Sequence, residues 1–143
     1  MNDFDAIAIG RRVLAAEADA LRDQAEGLDQ AFAAAVDLLF AAKGRIICTG
    51  MGKSGHVARK IAATFASTGS PAFFVHPAEA SHGDLGMITQ DDVIVGLSKS
   101  GEARELADAL AYAKRFSIPL ISLTADGARG LGTAATVVLA LAD

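Results

Sequence analysis

Gly50, Gly52 and Gly55 bracket Lys53 and Ser54 within the stretch ICTGMGKSGH. Glycines allow close backbone approach, hydroxyls and helix-start amides donate hydrogen bonds, and a lysine adds charge. That set suits an anion, above all a phosphate. Further along, SKSGE supplies Ser98, Ser100 and Gly101 in a second Gly/Ser loop. Two such loops at neighbouring strand ends, each opening a helix, make one pocket. It suits a small phosphorylated molecule that carries hydroxyls of its own.

Two other phosphate chemistries fit less well. A nucleotide loop of the form G-x-x-x-x-G-K-S/T needs its first glycine at position 47, where Ile47 stands. No strand ends in the acid that would help hold magnesium. A dinucleotide loop is matched by Gly50, Gly52 and Gly55, but His76 stands where an acid is expected about 20 residues on. His76, Glu79 and His82 have the spacing H-x-x-E-x-x-H, which invites a metal. Pro77 and the loop-like composition give that spacing no common face, so no metal is expected. Proton transfer needs a carboxylate or an imidazole, and nothing in the spacing alone picks one out. By residue type alone each residue also has a plainer reading. Glu105 suits the first turn of a helix, His82 a turn and Lys53 a solvated loop.

The elements that must hold these residues alternate. RIICTG, PAFFVH, DDVIVGLS, IPLISLT and ATVVLAL are short apolar runs and predict five strands. SGHVARKIAATFAST and GEARELADALAYAKRF carry apolar residues at helical spacing and predict helices between them. Alternation of this kind implies a parallel sheet with right-handed crossovers, hence a three-layer α/β sandwich. Ligands then bind beyond the carboxyl ends of the strands, where loops 49–55, 76–86 and 98–102 stand. Residues 1–42 read as a helical segment packing on a domain of residues 43–143. Leu14, Ala18, Leu21, Ala25 and Leu28 form one stripe, suited to core packing or to another subunit. Gly27 interrupts it, Asp29 can cap a second helix, and Gly44 stops that one.

Composition agrees. Of 143 residues, 52% are apolar and 6% aromatic, so the core is built from Ala, Val, Ile and Leu. A net charge of −4 offers no general field for nucleic acid or an anionic membrane. The single cysteine, Cys48, lies in an apolar run and reads as a buried inert thiol. The N-terminus lacks the pattern of a signal peptide, and no apolar run reaches the roughly 18 residues of a membrane span. A cytoplasmic location is the default expectation.

The combination GMGKSGH, HPAEASHGDLG and SKSGE closely resembles the D-arabinose 5-phosphate isomerases of Gram-negative bacteria, within the sugar isomerase (SIS) domain class. The resemblance runs from about residue 8 to the end of the chain. It implies a flavodoxin-like sheet, a homotetramer and interconversion of D-ribulose 5-phosphate and D-arabinose 5-phosphate, on the route to the KDO sugar of lipopolysaccharide. It also implies roles. Lys53 lies beside the sugar, and Ser54, Ser98 and Ser100 hold the phosphate. Glu105 takes part in proton transfer, and His82 serves activity, reaching a neighbouring subunit's site. No metal or organic cofactor is required. A non-catalytic sugar-phosphate-binding or regulatory module is the alternative. Lys99 stands where Asn is common, and Ala103 where Ser or Thr is common. The family continues with a further Glu, a long helix and an HPGG-like histidine, so the resemblance leads one to expect a domain short of its C-terminal end and lacking CBS domains.

Overall fold

The computed structural model describes residues 5–102 and 104–142. They divide into two units, residues 5–29 with Ala142, and residues 30–141. The first unit is a single long helix, α1 (Ala6–Glu26), started by Asp5, whose side chain accepts from the Ala8 amide at 3.0 Å, and ended at Gly27.

The second unit begins with α2 (Gln30–Ala41) and then alternates. Its elements are β1 (Ile46–Gly50), α3 (Gly52–Ser67), β2 (Ala72–Phe74), α4 (Pro77–Ser81), β3 (Val93–Leu97), α5 (Ala107–Phe116), β4 (Leu120–Thr124), α6 (Gly130–Ala134) and β5 (Val137–Ala140). Single 3₁₀ turns cover Asp84–Met87 and Arg104–Leu106. The five strands pair in parallel in the order β2-β1-β3-β4-β5. This is the expected three-layer α/β sandwich with a flavodoxin-like sheet.

Alternation along the strands divides the core. Ile47, Ile94 and Leu120 face the side covered by α4, α5 and α6, where Ala80, Ala113 and Leu131 meet them. Ile46, Cys48, Val93, Val95 and Ile121 face the other side and pack on Ala35 of α2 and Ala58 and Ala62 of α3. Burial of both faces explains why the strands read as continuous apolar runs rather than as alternating ones. Small residues on the helices let the layers approach closely.

Two local expectations change. Loop 76–86 is partly helical. Pro77 occupies the first helical position, where its missing N–H costs nothing, and His76 caps α4 by accepting from the Ala78 amide at 3.3 Å. The helix expected to begin within GEARE instead starts at Ala107, after the 3₁₀ turn. SKSGE is therefore a free-standing loop that does not open directly onto a long helix. Ala103, the other departure from the family pattern, lies outside the described residues.

Candidate active site

In a sheet of this order the crevice opens between β1 and β3, where the connections leave in opposite directions. Both Gly/Ser loops leave the sheet there. An open cleft of about 790 Å³ is lined by Lys53, Ser54, Ser98, Ser100 and Glu105, among the residues expected from the sequence. Met51, Leu97, Lys99, Glu102, Ala125, Asp126 and Arg129 complete it.

The first loop is shaped by close approach. A Cβ on Gly55 would stand 2.6 Å from the Gly50 carbonyl oxygen, and one on Gly50 would stand 3.0 Å from the Leu97 oxygen. Glycine at both positions lets α3 start tight against the ends of β1 and β3. Gly52 turns the chain into the helix with φ of 56°. No side chain caps α3. Its first amides, those of Gly52, Lys53 and Ser54, have no intrahelical acceptor and carry the positive end of the helix dipole. Lys53 is exposed and Ser54 half-buried at that end.

The second loop is tied to the end of β4. The Ser98 amide donates to the Leu123 carbonyl at 3.1 Å, and the Ala125 amide to the Lys99 carbonyl at 3.0 Å. The Thr124 hydroxyl is 3.3 Å from the same Lys99 oxygen. Gly101 adopts φ of 70° and packs so closely that a Cβ would lie 2.9 Å from the Asp126 oxygen. Its carbonyl accepts from the Leu131 amide at 3.0 Å. Ser98 is buried, and the Ser100 hydroxyl accepts from the Glu102 amide at 3.3 Å. The hydroxyls are thus presented by a loop anchored on two sides.

Arg129 bridges the rim. It pairs with Glu102 at 3.0 Å and with Asp126 at 2.7 Å. The charge of Glu102 and the hydrogen bond to Asp126 raise the Arg129 pKa further above its ordinary value. Sequence reading passed over this residue, because DGARG carries no phosphate motif. Only its place after a parallel strand marked it.

Not every expected residue converges. His82 caps the end of α4, exposed and outside the cleft lining. His76 is occupied as a helix cap. Among the described residues, no cluster of three His, Cys, Asp or Glu side chains is placed to hold a metal. Burial pushes the Cys48 thiol up to about 12, which keeps it protonated and unreactive. No helix among the described residues is long and apolar enough to cross a membrane.

Comparison with known proteins now bears on this geometry. Residues 38–142 match the family model described as SIS domain. The chain belongs to the SIS domain family. It is 50% identical over 137 residues to the arabinose 5-phosphate isomerase KdsD of Pseudomonas aeruginosa, covering 96% of this chain and 42% of that protein. The SIS chain thus spans about two fifths of the length of the curated relatives it matches. Among solved structures, an E. coli CFT073 protein in complex with arabinose 5-phosphate superposes with a TM-score of 0.91 at 38% identity, covering 99% of this chain and 75% of that one. The Vibrio vulnificus NanR protein complexed with ManNAc-6P superposes with a TM-score of 0.85 at 26% identity, covering 94% and 51% respectively.

Proposed function

We propose that this SIS domain carries out aldose–ketose isomerisation, interconverting D-ribulose 5-phosphate and D-arabinose 5-phosphate through an enediol. The observation that carries the reading is the convergence of Lys53, Ser54, Ser98, Ser100 and Glu105 on one cleft at the β1/β3 crevice. The relatives named arabinose 5-phosphate isomerase and the solved neighbour holding arabinose 5-phosphate support the pentose phosphate as substrate.

The roles follow from chemistry. The amides at the start of α3 and the hydroxyls of Ser54, Ser98 and Ser100 hold the phosphate, and Gly50, Gly52, Gly55 and Gly101 give the backbone its close approach. Remote phosphate binding orients the reacting end of the sugar. Glu105 moves the proton between C1 and C2. Lys53 stabilises the negative charge that develops on oxygen. His82, outside its own cleft, serves the site of a neighbouring copy in a homotetramer and assists ring opening. No cofactor enters this scheme. The product feeds KDO synthesis for lipopolysaccharide in the cytoplasm.

The test is turnover of arabinose 5-phosphate by the chain and by Glu105→Gln, with phosphosugar binding measured on both. Turnover is expected, and loss of the carboxylate should reduce it by roughly 10²–10⁴-fold while binding persists. Binding without turnover in the unaltered chain favours the second reading, a non-catalytic sugar-phosphate-binding or regulatory module. The likeness to NanR complexed with ManNAc-6P supports phosphosugar binding, which both readings share.

A further inference from the structure

We infer that Lys99 is a phosphate-binding residue of the cleft, acting with the helix-start amides of α3 to match the dianion of a phosphate monoester. This rests on the sugar-phosphate reading above and adds to it a contact that the resemblance assigns to no residue. The ground is how the charges lining the cleft are paired. Three cations, Lys53, Lys99 and Arg129, face three carboxylates, Glu102, Glu105 and Asp126. Arg129 engages two of the carboxylates, Glu102 at 3.0 Å and Asp126 at 2.7 Å. These are the acids nearest in sequence to the loop after β3 and to its anchor on β4. With both held by Arg129, neither lysine of the cleft is ion-paired among the described residues.

Lys99 is also well placed. It sits between Ser98 and Ser100, and its carbonyl is held by the Ala125 amide at 3.0 Å, so its backbone is fixed while its side chain is exposed and lines the cleft. A phosphate monoester carries close to two negative charges at neutral pH. The helix-start amides of α3 answer part of that charge from one loop, and Lys99 answers it from the other, which leaves Lys53 for the oxygen at the reacting end of the sugar. An ammonium offers three donors on a flexible stem and binds phosphate as a point charge. Glu105 is then the carboxylate left for proton transfer.

The experiment titrates inorganic phosphate into the unaltered chain, Lys99→Asn and Lys99→Arg by calorimetry, at low and at high ionic strength. Circular dichroism without phosphate verifies that each variant folds, as the exposed side chain predicts. At low ionic strength Lys99→Asn should weaken phosphate binding about three- to fivefold, the upper range of one solvent-exposed charge contact, and Lys99→Arg should stay within about twofold. The gap should narrow at about 1 M salt, where screening reaches about 3 Å. With arabinose 5-phosphate as substrate, KM should rise by the same factor and kcat should hold. Equal phosphate affinity in Lys99→Asn and the unaltered chain overturns the role of Lys99 while leaving the cleft reading intact. An equal loss in Lys99→Arg overturns it as well, by making the effect one of loop structure. If the unaltered chain does not bind phosphate, the cleft reading and the role of Lys99 fall together.

Discussion

At the amino-terminal edge of the sheet, Asp92 is 1% exposed, and its carboxylate accepts from the Arg45 amide at 2.7 Å and the Thr89 amide at 2.8 Å. The Arg45 guanidinium completes the set at 3.1 Å and lies over the Phe73 ring. A Cβ on Gly44 would collide with the same carboxylate. At the carboxyl edge of the same strands, hydroxyls, helix-start amides and two lysines face an open cleft. The difference separates two tasks. One edge satisfies its polar groups internally and locks the starts of β1 and β3. The other leaves donors and charge for a ligand, and spends two glycines in left-handed conformations to do so. Stability and binding are therefore separable by mutation.

The largest expected effect is on the locked edge. Asp92→Ala leaves the amides of Arg45 and Thr89 and a guanidinium without their acceptor, and should cost roughly 3 kcal/mol in urea unfolding. Phosphate affinity of the folded fraction should be unchanged, and a parallel loss of affinity would break the separation. Gly55→Ala comes next. Its Cβ would press on the Gly50 carbonyl, a backbone atom that cannot swing away, and overpacking of this kind costs roughly 1–3 kcal/mol. Because the clash sits where α3 meets β1, this variant should also lose phosphate binding, in contrast to Asp92→Ala.

The smallest effect is a pH dependence. Burial pushes the Asp92 carboxyl up, but the Arg45 guanidinium and the amides of Thr89 and Arg45 outweigh it and hold the group below the usual carboxylate range. A depressed native pKa means stability that is present above the unfolded value, near 3.9, and lost as pH falls through the native one. Unfolding free energy followed below about pH 4 should fall less steeply in Asp92→Asn than in the unaltered chain. An identical slope would remove Asp92 from the acid response.

The sheet was legible because its strands are buried on both faces and read as unbroken apolar runs. The two Gly/Ser loops were legible because close approach and left-handed turns demand glycine. What the sequence hid is long-range or depends on one bond. Arg45 and Asp92 are 47 positions apart, and nothing local pairs them. Arg129 acquires its role only when the loops after β3 and β4 meet. Pro77 resembled a loop breaker and proved to start α4, because a proline at a first helical position loses no hydrogen bond. The start of α5 was placed too early, since GEARE has helical composition but its 3₁₀ turn comes first.

The most direct test of the account is an amide-resolved NMR titration of the chain with arabinose 5-phosphate. The account predicts shifts concentrated at residues 50–55 and 98–102 and at Arg129, with Gly44, Arg45, Thr89 and Asp92 unmoved. Shifts centred on the amino-terminal edge, or spread evenly over both edges, would contradict it.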